Sequence, residues 1–408
     1  MRDSRCGVPV RGDERLRVEV MPSRAHSGSA EQARRRSSDV PIRTAREGVS
    51  NVQPTTAFVR TVSGDCEPGE LGRTSMHEHV FIDASVWLED PAQTPTVIAP
   101  DPGAAVNQEI LHVLHRNPVL LHDNLIIDDE VLAIAEVSDF YRSGGGCIVD
   151  ATTIGLGRRP LSLQRVADRT GVRIVAGTGF YTERSHPRIV QTASVEELAD
   201  IMIRDIREGI DGTAVKAGII GEIGTSTLTP AEAKVLRACA LAHEVTGAAI
   251  SLHTEMRCRE AENIIALLNA EGVRSDRIIA GHMDENLTEL APGLAHLDYH
   301  LRVAETGAWV QYDTFGSEGY IDSMKWCEPR DTDRVAGIVA LVEAGYTDQL
   351  LLGQDVWLKS RLKRYGGSGY DHLLRVVPVM LRWAGLSDEV IDRLLIENPS
   401  RALSMHDG

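Results

Sequence analysis

The 408-residue chain is 42% hydrophobic and carries a formal charge of −16. A surface that negative repels a phosphate backbone and excludes nucleic acid as a general partner. No run of 18 apolar residues could span a membrane, and the six cysteines are scattered without a Cys-x-x-Cys spacing, so a reducing, cytoplasmic location is expected.

Residues 1–54 read as a disordered Arg-rich extension. The first fifty contain eleven Arg and seven acidic residues, about +4, with few large apolar side chains. No apolar stretch follows Arg34-Arg35-Arg36, as an export signal would require. The segment reads as a solvated tail, or as an over-long start with Met21 as the alternative.

Residues 55–408 read as one hydrolase domain. Short β-branched runs fall at 74–82, 146–152, 172–177, 217–223, 248–253, 278–282, 309–313 and 350–355. Amphipathic runs with helical spacing lie between them, at 128–142, 161–170, 195–208, 230–246, 260–271, 294–306 and 331–344. Strand–helix alternation implies a parallel sheet, and eight units imply a closed (β/α)8 TIM barrel. The long stretch between the first strand and the 128–142 helix predicts an insertion at the barrel mouth. Two more helices, at 371–384 and 387–396, follow the eighth strand.

Polar residues interrupt these apolar runs at one end. His77 and His79 alternate on one face of the first strand, with Glu78 pointing the other way. Glu222 ends the fourth run, His253 the fifth, His282 the sixth and Asp355 the eighth. A lone strand-end histidine is more often a core residue than a ligand. Five strands of one barrel presenting ligand-type side chains at the catalytic end is a different matter. Buried imidazoles and carboxylates are costly unless paired or bound to metal. Four His and two carboxylates exceed one tetrahedral zinc and fit two divalent ions about 3.5–4 Å apart. Zinc is the first expectation, with manganese, cobalt or iron as alternatives.

The chain resembles the phosphotriesterase family of the amidohydrolase superfamily, closest to its phosphotriesterase-related proteins. The resemblance rests on Leu71-Gly72-Arg73-Thr74 leading to His77-Glu78-His79, on Gly177-Thr178-Gly179-Phe180-Tyr181 and on the Gly218 to Gly224 run. Gln354-Asp355, the Tyr365 to Tyr370 loop and Glu397-Asn398-Pro399 extend it across residues 58–404. It implies that His77, His79 and Asp355 bind the more buried metal, His253 and His282 the more exposed one, and that Glu222 bridges them. Phosphotriesterases proper use a carboxylated lysine as bridge. Lys216 lies too early in the strand for that role.

The expected reaction is attack of a metal-bridging hydroxide on an ester or lactone, with phosphotriesters possible and Asp355 accepting the proton. The alternative is amide hydrolysis of an N-acyl amino acid or amino-sulfonate; a catalytically silent metal-binding barrel is the second alternative. Arg361, one of three cations with Lys359 and Lys363 after the eighth strand, and Tyr181 are the candidate substrate contacts. A small-molecule substrate is expected as partner, with a homodimer possible.

Overall fold

The computed structural model describes residues 57–90, 100–255, 258–287, 297–321 and 325–406. The Arg-rich extension expected at 1–54 lies outside them. Eight parallel strands run in chain order around a barrel: β1 (Arg73–Glu78), β2 (Gly145–Asp150), β3 (Arg173–Thr178), β4 (Ile219–Thr225), β5 (Ile250–Thr254), β6 (Ile278–Ala280), β7 (Trp309–Tyr312) and β8 (Leu350–Leu352). The ring closes where the Asp355 N–H donates to the His77 carbonyl at 3.0 Å. The predicted barrel is therefore observed.

Its strands are nearly continuous apolar runs because both faces are buried. Outward residues such as Ile148, Ile174, Ile220, Ile250 and Ile278 pack into the main core beneath the helices. Inward residues Val149, Val175, Ile219, Ile279 and Leu351 fill the barrel as a second, separate core. Val59, from the strand Ala57–Thr61 of an N-terminal hairpin, and Leu403, from the terminal helix, close that core. The lower barrel is thus a packed plug, and polar chemistry is confined to the opposite end.

Helix starts follow their sequence signals. α1 (Glu130–Arg142) begins at Asp129, whose side chain accepts from the Val131 and Leu132 N–H groups. α2 (Val195–Arg207) and α3 (Pro230–Thr246) open with capping boxes, Ser194 with Glu197 and Thr229 with Glu232. α4 (Asp331–Glu343) precedes β8 in the chain.

Two expectations are corrected. The first strand stops at Glu78, short of the predicted 82; just beyond it the Val80 N–H bonds the Asp150 side chain at 2.7 Å instead of a strand backbone. Ile82–Asp83 then pairs antiparallel with Ile126–Ile127. The predicted 371–384 helix is two pieces, His372–Arg375 and Val377–Trp383, since Pro378 cannot continue the intrahelical ladder. The insertion does reach the mouth: Lys359 Nζ pairs with Asp123 at 2.5 Å, and the Ser360 N–H donates to Asn124 Oδ1 at 2.8 Å.

Candidate metal centre and active site

The strand exits bring His77, His79, Glu222, His253, His282 and Asp355 to one place. Glu222 lies in the middle. Its carboxylate oxygens are 3.6 Å from His77 Nε2, 3.3 Å from His79 Nε2, 3.1 Å from His253 Nδ1 and 3.6 Å from His282 Nε2. Asp355 Oδ1 is 3.2 Å from His79 Nε2 and 3.7 Å from His77 Nε2.

Local backbone geometry aims these groups. His282 (φ 55°) and Asp355 (φ 50°) adopt the left-handed conformation, two residues beyond the end of β6 and three beyond the end of β8. Non-glycine residues pay about 1–3 kcal/mol for such geometry, which persists where the surroundings impose it. Gly221, before Glu222, sits so close to β5 that a Cβ would lie 2.4 Å from the Ser251 carbonyl oxygen. Only glycine allows β4 and β5 to meet there.

Hydrogen bonds fix which imidazole nitrogen faces inward. Asp313 Oδ2 accepts from His77 Nδ1 at 2.9 Å, and Oδ1 accepts from His282 Nδ1 at 3.0 Å. Thr152 gives its hydroxyl proton to the Phe81 carbonyl at 2.9 Å and so accepts from His79 Nδ1 at 2.8 Å. In His77, His79 and His282, Nε2 is left to point at Glu222, as metal-ligating histidines require. Asp313 and Thr152 were not singled out from sequence. Asp313 did carry a readable signal, since it ends the seventh apolar run as Asp355 ends the eighth.

The electrostatics agree with a cation site. Burial works against charge on His79, but hydrogen bonds to Asp355 and Glu222 outweigh it and its pKa is pushed up to about 9. Glu222 is likewise opposed by burial, yet His77 and its other imidazole neighbours hold it well below the usual carboxylate range. Metal binding there would displace the imidazole protons. His77 Nε2 is buried without a hydrogen-bond partner, an orphan that a metal ion would satisfy. Three overlapping ligand groups have all donor atoms within 4.8 Å: His77–His282–Asp355, His77–His79–Glu222 and Glu222–His253–His282. The residues present fit divalent metal.

A cavity of about 100 Å³ opens beside these groups. Trp87, Val119, Leu156, Ile321, Trp326 and Trp357 supply apolar walls, and Tyr181, Glu255, Glu285 and Glu328 the polar ones. Tyr181 lines the cavity, its hydroxyl 3.2 Å from His253 Nε2. Burial first, then Glu222 and Asp355, raise its pKa well above 10, so the phenol keeps its proton as a donor.

The three loop cations are differently placed from the expectation of open substrate contacts. Lys359 is paired with Asp123, and Lys363 with Asp139 at 2.6 Å. Arg361 stands behind a cavity carboxylate: its Nη2 bonds Glu328 Oε1 at 2.9 Å and Oε2 at 3.1 Å. Among the described residues, the cavity wall contains no lysine or arginine. No described helix is long and apolar enough to cross a membrane.

Comparison with known proteins agrees with this architecture. Residues 57–403 match the phosphotriesterase family. N-acetyltaurine hydrolases from Danio rerio and Homo sapiens are 35% and 36% identical, each alignment covering 85% of this chain and 97% of the relative. A resiniferatoxin-binding protein from Rhodobacter sphaeroides superposes with TM-score 0.79 at 34% identity, covering 85% of this chain and 94% of the other. A lactonase from Listeria monocytogenes superposes with TM-score 0.67 at 28% identity, covering 85% and 98%. The chain belongs to the phosphotriesterase family and is a hydrolase.

Proposed function

We propose that the protein hydrolyses the amide bond of a small N-acyl amino acid or N-acyl aminosulfonate at a two-metal centre. The observation that carries this reading is the Glu222-centred cluster of four imidazoles and Asp355 on a chain with N-acetyltaurine hydrolase relatives along nearly their whole length. His77, His79 and Asp355 would hold one ion, His253 and His282 the other, and Glu222 both. Bound ions would supply an acidified water and a Lewis acid for the scissile carbonyl.

The chain's own groups account for the rest. Asp355, with its side chain 14% exposed toward the cavity, accepts the proton of the attacking water and returns it to the leaving nitrogen. The Tyr181 phenol donates to substrate oxygen near His253. The Trp87, Trp326 and Trp357 walls shed water around the acyl group. Arg361 lends positive charge from behind Glu328 to an anionic substrate terminus.

Hydrolysis of a lactone or carboxylic ester, the main expectation from sequence, is the second reading and is favoured by the lactonase likeness. Matched N-acyltaurines, N-acyl amino acids and lactones, assayed on zinc-loaded protein for amine and acid release, separate the two. Turnover confined to lactones would reverse the order.

A further inference from the structure

We infer that Arg334 is a positioning residue for the metal ligands, acting through Asp284 and Asp313. This inference rests on the metal-centre part of the function proposed above. Arg334 is on α4, and its side chain is fully buried. Its Nε donates to Asp284 Oδ2 at 2.7 Å, its Nη1 to Asp331 Oδ1 at 3.0 Å and its Nη2 to Thr314 Oγ1 at 2.6 Å. Thr314 passes its own proton to Asp284 Oδ2 at 2.6 Å.

Asp284 in turn uses both oxygens on backbone. It accepts from the Asp313 N–H at 3.1 Å and from the Thr314 N–H at 3.1 Å. These donors lie just beyond β7, where the strand ladder no longer serves them. The Asp313 carboxylate they fix also accepts the His282 N–H at 2.9 Å besides its bonds to the His282 and His77 rings. One guanidinium thus ties the exits of β6 and β7 and the start of α4 into a single frame. Across that frame a single carboxylate orients imidazoles from β1 and β6.

A buried ion cluster is weak evidence for stability by itself, because apolar replacements of similar shape often serve the fold as well. Its use here is geometric. Ligand sites need orientation within about 0.5 Å, and partners behind the ligands commonly govern metal affinity. Arginine suits the role because its planar fork meets Asp284, Asp331 and Thr314 together, which an ammonium group cannot.

The experiment is calorimetric titration of Zn²⁺ into chelator-treated protein, with thermal unfolding of the metal-free form measured in parallel. Arg334→Lys keeps the buried charge and loses the fork; Thr314→Val removes one link without stranding a charge, and carries the test if the first variant fails to fold. Both should bind Zn²⁺ about 10-fold or more weakly. Asp205→Asn, which breaks the remote Arg158–Asp205 pair (2.6 Å), should lower the melting temperature and leave Zn²⁺ affinity unchanged. Wild-type Zn²⁺ affinity in Arg334→Lys and Thr314→Val, with only the melting temperature reduced, would overturn the inference. So would a wild-type protein that binds no Zn²⁺. Tight Zn²⁺ binding without amide hydrolysis would count against the proposed substrate and leave this inference standing.

Discussion

The Asp313 carboxylate accepts a hydrogen bond from His77 Nδ1 at 2.9 Å, and that one bond decides that His77 presents Nε2 to Glu222. The same carboxylate does this for His282, so two imidazoles share one orienting group. Asp313→Asn replaces an acceptor oxygen with a donor and must turn one imidazole. Divalent-metal affinity should fall about 10- to 100-fold, measured by dialysis against graded zinc and metal analysis. Wild-type metal content at limiting zinc would rule this role out.

Asp355 is the group in the cluster assigned to move a proton. Asp355→Asn is nearly isosteric, so the fold should persist by circular dichroism. The kcat should drop by about 10²- to 10⁴-fold, the usual worth of a general base. Full retained turnover would remove Asp355 from the mechanism.

Glu328, on the cavity wall, holds Arg361 behind it, and Ser317 donates to Glu328 Oε1 at 2.5 Å. Glu328→Gln removes the charge and leaves the guanidinium less neutralised. For an N-acyl substrate with a carboxylate or sulfonate end, KM should fall severalfold, while a neutral amide analogue should be unaffected. An equal change for both substrates would show that Arg361 does not read charge.

His300 is buried away from the site, with the Tyr312 hydroxyl 2.6 Å from Nδ1. Burial, with a smaller contribution from Arg259, lowers its pKa to about 3 from the ordinary 6.5. The unfolded chain therefore binds more protons between these values, and stability must fall as pH drops from about 6.5 toward 3. Each pH unit in that window costs up to about 1.4 kcal/mol. In His300→Gln, the loss of unfolding free energy between pH 7 and pH 5, measured with urea, should shrink by roughly 2 kcal/mol. An unchanged loss would assign the acid sensitivity to other groups.

The pattern of apolar runs was sufficient to read the barrel, since strands buried on both faces admit few other sequences. The six ligand-type residues were legible for a related reason: a polar side chain at the end of such a run stands out against its surroundings. Asp313 shares that position, and in one dimension nothing separates a group that orients an imidazole from the imidazoles and carboxylates of the cluster itself.

The fate of the loop cations was decided by tertiary structure alone. Lys359, Arg361 and Lys363 are equivalent in sequence, yet their partners Asp123, Glu328 and Asp139 come from distant segments. Just beyond β1, the Val80 N–H likewise bonds Asp150 from the neighbouring strand. Local periodicity and burial thus determined the fold and the cluster of ligand-type residues. Charge pairing between segments remote in sequence determined which polar residues line the cavity and which stand behind it.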